Sequence, residues 1–182
     1  MQIWKCGISI RLICYRRYAR LAAAPSTRVH EIYIKASAQA IWEAITSPAW
    51  NEKFGYRSPQ TYELRPGGAY QAKSNAGMLA MGLPEVVIDG EIIESSPPRK
   101  LVQTFRFMFS EEQKKEGFTR LTWEIEPTKS GFCRLTLTHE LEGAPIMAAL
   151  TSTPFNEMGG GGWNWVLSDL KSLLETGKSM SG

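Results

Sequence analysis

Hydrophobic and polar positions alternate along most of the chain between residues 28 and 141, and the alternation breaks at turn-forming residues. From Val29 to Ala36, Ile32 and Ile34 fall on one side and Glu31, Tyr33 and Lys35 on the other, the pattern of a half-buried strand. His30 shares the parity of the isoleucines but sits at the strand's start, where exposure is expected. Ser37 is placed to cap a short helix over Ala38–Thr46 whose Ile41, Trp42 and Ile45 face inward. Ser47-Pro48 ends it, and Pro48 opens a second short helical turn carrying Trp50 and Phe54. Gln60–Leu64 and Ala69–Ser74 read as strands joined through Arg65-Pro66-Gly67-Gly68. Asn75–Pro84 reads as a loop with unusual apolar content. Four further strands are expected at Val86–Ser95, Lys100–Phe109, Thr119–Glu126 and Phe132–Leu141, with Glu111–Gly117 as a charged, solvated hairpin loop.

The period then changes. Trp163, Val166, Leu167, Leu170, Leu173 and Leu174 recur at helical spacing, with Asn164, Ser168, Asp169, Lys171, Ser172 and Glu175 on the opposite side. Gly159 to Gly162 form a flexible entry and Gly177 a C-terminal stop. Trp165 departs from the stripe, which calls for cover by the 75–84 loop or for contact with another chain. A helix with one broad apolar face must bury it, and the preceding strands make a sheet the natural partner. A bent antiparallel sheet gripping one long helix encloses space. Strand parity names its lining: Phe105 with Phe107, Leu121 with Trp123 and Ile125, and Cys133 with Leu135, Leu137 and His139.

Composition changes this picture little. Apolar residues make up 43% of 182, enough for a core, and no apolar run reaches the roughly 18 residues of a membrane-spanning helix. The net charge of +3 is concentrated at one end, where Lys5, Arg11, Arg16, Arg17 and Arg20 occur with no acid. With those five set aside, 16 basic and 18 acidic residues remain, so the body carries no basic excess for nucleic acid. The basic segment, residues 1–27, is expected to be a poorly ordered extension, residues 28–177 the folded domain and 178–182 a tail; Arg11 interrupts what would be a secretory signal. Cys6, Cys14 and Cys133 match no metal spacing and point to reduced thiols in a cytoplasmic protein.

Four stretches carry a resemblance: LRPGGAY at 64–70, GEIIESSPPRKLVQTFRF at 90–107, RLTWEIEPTKSGFCRLTLTH at 120–139 and GWNWVLSDLKSLL at 162–174. Together they resemble the bacterial homologues of the activator of heat-shock-protein-90 ATPase, within the START-related superfamily of lipid-transfer proteins, polyketide cyclases and the birch-pollen allergen. The resemblance implies an α+β helix-grip fold: about seven strands in a bent antiparallel sheet around a long C-terminal helix, with two short helices after the first strand. It implies no particular reaction. The eukaryotic co-chaperones carry an additional N-terminal domain, which is not expected within these 182 residues.

No phosphate loop, metal-ligand cluster or nucleophile motif occurs in the sequence, and no cofactor is expected. The expected site is a cavity for a small apolar molecule lined by Trp50, Phe54, Tyr70, Phe107, Trp123, His139, Trp163 and Leu167. His139 is the titratable group whose parity aims it inward, a weak catalytic candidate that would act with Tyr70 as an acid–base pair. The readings are therefore a non-catalytic carrier or sensor, a cyclase/aromatase-like enzyme, and a module that binds a chaperone or a second copy of itself.

Overall fold

The computed structural model describes residues 27–152 and 161–180. Its elements run β1 (Thr27–Ile34), α1 (Ala38–Thr46), α2 (Pro48–Asn51), β2 (Gln60–Tyr62), β3 (Ala69–Lys73), α3 (Ala76–Ala80), β4 (Val86–Ser96) and β5 (Lys100–Phe107). They continue with α4 (Glu111–Glu116), β6 (Thr119–Pro127), β7 (Cys133–Glu140), α5 (Pro145–Leu150) and α6 (Gly162–Thr176). This is the α+β helix-grip architecture. The seven strands form one antiparallel sheet in the order β1-β7-β6-β5-β4-β3-β2. Strands two to seven are a meander in which each pairs with the next, and β1 returns beside β7 with His30 opposite Leu137 and Arg28 opposite His139.

The sheet bends at irregularities in β4, whose register against β3 shifts between Ala72 and Lys73. The β4–β5 register shifts between Ile92 and Glu94, leaving an extra residue on β4, which increases local twist. At Gly90 the next strand comes so close that an added Cβ would lie 2.1 Å from the Thr104 carbonyl oxygen. Only glycine fits that approach.

Parity holds along the concave face. Leu121, Trp123 and Ile125 are buried, as are Cys133, Leu135, Leu137 and His139, while their neighbours Thr122, Thr136 and Thr138 are half-buried and Glu124 and Glu140 exposed. Helix α6 lays Leu167, Leu170 and Leu173 into this face, with Trp163, Val166 and Leu174 packed at the edges of the stripe. Each fully buried leucine contributes about 1.5–3 kcal/mol, which fixes the helix on the sheet. Gly177 closes the helix in the left-handed conformation at φ 74°, its N–H bonded to the Leu173 carbonyl. Trp165 is half-buried.

The short helices follow their caps. Ser37 accepts from the Ala40 N–H at 3.1 Å and starts α1 over the residues expected. Three segments differ from the sequence expectation. Glu111–Glu116 is a helix rather than a solvated hairpin loop. Ser110 caps it through the Gln113 N–H, with Glu111 and Glu112 in the first turn and Lys114 and Lys115 in the last, the charge order a helix dipole favours. Asn75 likewise caps a helix inside the expected 75–84 loop, accepting from the Met78 N–H at 2.9 Å. Helix α5 follows Pro145 at its first turn, where a missing N–H costs nothing.

Asp169 is the sharpest correction. Helical spacing puts it on the water side of α6, yet it is fully buried. Its carboxylate accepts from the Gly55 N–H at 2.8 Å, the Ser179 hydroxyl at 3.0 Å and the Met180 N–H at 2.5 Å. The loop after α2 and the chain beyond α6 thus close over the polar side of the helix, and the described part of the expected tail is tied down. Of the expected 1–27 extension, Thr27 already belongs to β1; the rest, together with Cys6, Cys14, Gly159 and Gly160, lies outside the described residues. Cys133 is buried, and burial pushes its thiol up.

Candidate functional site

Between the bent sheet and α6 lies a cavity of about 340 Å³. Its floor is the concave face of β3, β5 and β6, with Tyr70, Phe105, Phe107, Leu121 and Trp123 pointing in at alternate positions. One side is the start of α6, through Gly162, Trp163 and Val166; another is the segment after α2, through Phe54 to Ser58. The rim is completed by Gln113 of α4 and by Leu150 and Thr151 at the end of α5. These two helices are joined: the Glu116 carboxylate accepts from the N–H groups of Ile146 at 2.6 Å and Met147 at 2.8 Å, so α4 caps the first turn of α5.

The wall is rich in aromatic rings. Trp123 and Trp163 meet edge to face at 5.7 Å, Phe105 and Trp163 lie 5.7 Å apart, and Phe105 and Phe107 5.4 Å. Such contacts hold the rings in place without a ligand. At the far edge Tyr62 and Tyr70 are direct cross-strand partners with rings 4.7 Å apart. Both hydroxyls donate to Gln60 Oε1, at 2.9 and 3.0 Å. Burial pushes both phenols well above their ordinary value, and for Tyr62 the neighbouring Tyr70 adds to it. They are neutral donors at any physiological pH.

Of the eight residues expected at the site, Phe54, Tyr70, Phe107, Trp123 and Trp163 stand on the cavity wall. Leu167 does not, because it is spent in the core between helix and sheet. Trp50 does not either: it is half-buried against the core, with the Lys53 ammonium 4.9 Å from its ring centre. His139 is on the concave face as parity required, but it is not on the cavity wall.

Both ring nitrogens of His139 are committed. Trp163 donates its indole N–H to Nδ1 at 3.1 Å, which fixes the proton on Nε2. Nε2 then donates to Thr119 Oγ1 at 2.8 Å, and that hydroxyl donates onward to the Phe105 carbonyl at 2.8 Å. Burial, and then the charges of Arg28 and His30, push the imidazole down to about 4. It is neutral and spoken for, a brace that orients Trp163 rather than a group facing the cavity. His30, expected to be exposed, is half-buried and bonded through Nδ1 to Asn164 Oδ1 at 2.8 Å.

The polar feature that the sequence reading missed is Gln103. It is fully buried on β5, between Ile92 and Leu121 in the ladder, and it lines the cavity. Neither its amide nitrogen nor its amide oxygen has a hydrogen-bond partner, although the amide lies close enough to Tyr70 to favour the phenolate. The Trp123 indole N–H on the next strand is also buried and unpartnered. The signal was present in the sequence: Gln103 has the parity of Phe105 and Phe107, a polar residue in an inward register. Among the described residues no three His, Cys, Asp or Glu side chains gather as metal ligands, and no helix is long and apolar enough to cross a membrane.

A family model described as activator of Hsp90 ATPase homolog 1-like protein matches residues 35–175. Solved structures share the fold at low identity. A protein from Mesorhizobium loti, MLL2253, is 18% identical with a TM-score of 0.60, over 81% of this chain and 96% of its own. The Aha1 dimer from Colwellia psychrerythraea is 19% identical with a TM-score of 0.59, over 84% and 98%. An HSP90 activator from Plasmodium falciparum, PFC0360w, is 20% identical with a TM-score of 0.50, over 86% and 92%. No curated protein matches the chain.

Proposed function

The chain belongs to the activator of Hsp90 ATPase homolog 1-like family, and on that premise we propose that it binds and carries a small, mainly apolar molecule without transforming it. Family membership supplies the scaffold and no reaction, so the site has to carry the argument. The observation that supports this reading is the cavity of about 340 Å³, walled by interlocked aromatic rings and within the size range of small-molecule sites.

An acid–base reading is weaker on the same geometry. A general base needs a free lone pair within reach of its substrate. His139 has both nitrogens engaged and stands off the wall, and the Tyr70 phenol is held neutral by burial. A carrier needs only enclosed apolar surface, with a few polar groups to orient its cargo.

Titration with N-phenyl-1-naphthylamine, a neutral apolar fluorophore, tests the proposal. Saturable, blue-shifted fluorescence is expected. It should be lost when Ala72, buried at 1% exposure in the wall, is enlarged by Ala72→Phe in a protein of unchanged circular dichroism. Binding that ignores this filling would place the probe elsewhere and end the carrier reading. A retained small molecule in native mass spectrometry of the protein from its own source would then give the ligand's mass.

Chaperone binding is the second reading, favoured by the family description and by apolar exposure on one edge: Leu79 is 50% and Met81 74% exposed, beside Tyr56 through the Asn75–Tyr56 bond. Stimulation of an Hsp90 ATPase that Met81→Glu abolishes would support it; no stimulation by the native chain would dismiss it. The same edge could serve self-association, for which a sedimentation run is decisive.

A further inference from the structure

We infer that the ligand of this cavity is a neutral, flat molecule bearing a carbonyl oxygen beside a hydrogen-bond donor, the pair read by Gln103 with help from Trp123. The inference rests on the carrier reading and adds the chemistry of the cargo to it. A buried primary amide with both ends unbonded is costly, and folded proteins rarely keep one without use. Here Gln103 is 0% exposed on the central strand of the floor, and both Nε2 and Oε1 lack partners. An amide of this kind offers a donor and an acceptor side by side. Its complement is an acceptor and a donor side by side: a lactam, or an equivalent carbonyl with an adjacent N–H or O–H.

The second unpartnered group fits the same edge. Leu121 is the direct ladder partner of Gln103, so Trp123, two residues on and facing the same way, is its diagonal neighbour. Its unbonded indole N–H is donor-only. One carbonyl oxygen has two lone pairs and can accept from both the Gln103 amide and the Trp123 indole. The donor beside it then returns to Gln103 Oε1. Both tyrosine hydroxyls give their protons to Gln60, so neither is a donor to Gln103 Oε1; the Tyr70 oxygen stays beside the amide as an acceptor, and a ligand carbonyl would take its place at Gln103 Nε2.

Charge narrows the class further. Asn51 and Gln113 also line the cavity, and their amide oxygens, Oδ1 and Oε1, are buried acceptors without a partner, which disfavours a carboxylate or phosphate beside them. Arg57 is the one permanently charged side chain among the described wall residues, and it is engaged within the protein. A neutral ligand is what remains.

The test uses 2-quinolone, a flat lactam, against naphthalene, its hydrocarbon counterpart, each displacing N-phenyl-1-naphthylamine from wild type and from Gln103→Leu. The ratio of the two dissociation constants cancels any general change in the pocket. Gln103→Leu should shift that ratio against the lactam by about tenfold or more, since a buried hydrogen-bonded pair is then lost. Trp123→Phe, which keeps a ring and deletes the N–H, should shift it in the same direction by a smaller factor. In the unaltered protein, 1-methyl-2-quinolone, whose donor is blocked, should bind less well than 2-quinolone, which keeps the idea testable if a variant folds poorly. A ratio unchanged by Gln103→Leu, with both probes still bound, overturns the inference and leaves the carrier reading standing. Failure of naphthalene and the fluorophore to bind at all removes the carrier reading and this inference with it.

Discussion

Replacing His139 by leucine is expected to destabilise the protein at neutral pH and to stop doing so in mild acid. At pH 7.5 the imidazole is neutral, accepting from the Trp163 indole and donating to Thr119. Leucine fills similar space but leaves the indole N–H without its acceptor, a cost of about 1–3 kcal/mol; Thr119 still bonds the Phe105 carbonyl. Acid changes the comparison. An unfolded histidine titrates near 6.5, whereas burial holds the folded one down to about 4. As pH falls, the unfolded chain therefore takes up the proton first. The native state's advantage is fully present above pH 6.5 and is lost progressively between there and 4, by about 3 kcal/mol in all. The leucine variant has no such loss. Urea unfolding followed by tryptophan fluorescence, from pH 7.5 to pH 4, measures both proteins on the same scale. Carboxylates titrate in that window too, but they do so in both chains and drop out of the difference. The stability gap should shrink below pH 6.5 and vanish or reverse near pH 4. A gap independent of pH would mean that the imidazole is not held neutral by burial, and the bracing role assigned to it would fall.

Three further outcomes follow from the packing. Gly90→Ala forces a methyl group against the Thr104 carbonyl and should cost about 1–3 kcal/mol in urea unfolding, while an unchanged midpoint would show that the bend in β4 does not depend on that approach. Asp169→Ala leaves the Gly55 and Met180 N–H groups without their acceptor and should cost about 3–5 kcal/mol; protease cleavage beyond α6 should rise with it, and a wild-type cleavage rate would refute the tie between the C-terminal residues and the helix. Glu116→Ala removes the acceptor for two N–H groups of α5 and should cost about 1–2 kcal/mol. It should also speed release of N-phenyl-1-naphthylamine in stopped flow, since α4 and α5 form the rim; an unchanged off-rate would mean that the probe leaves by another side.

The sequence alone determined the elements whose local pattern and tertiary role agree. Strands β4 to β7 were legible because alternation is dictated by which side of a pleated strand is buried, and α6 because its leucines repeat at helical spacing. Ser37 and Pro48 marked helix starts for the same reason: a cap acts on its own backbone and needs no distant partner. Helix α4 was legible too, through Ser110 and its ordered charges, and was misread because a run of charge looks solvated.

The candidate site was half legible. Parity sent Phe107, Trp123 and His139 inward correctly, yet it had no means of separating a wall from the layer behind it. That separation came from Trp163, which arrives from a helix 24 residues further on and takes the His139 lone pair for itself. Asp169 shows the same limit: helical spacing assigned it to water, and only the fold brings Gly55, 114 residues away in sequence, over its carboxylate. Gln103 went unremarked in the sequence because periodicity records which way a side chain points and not whether anything meets it there. Burial is local enough to be written in a pattern. Partnership is a relation between distant segments, and it is settled only when the sheet bends and the helix lies down in it.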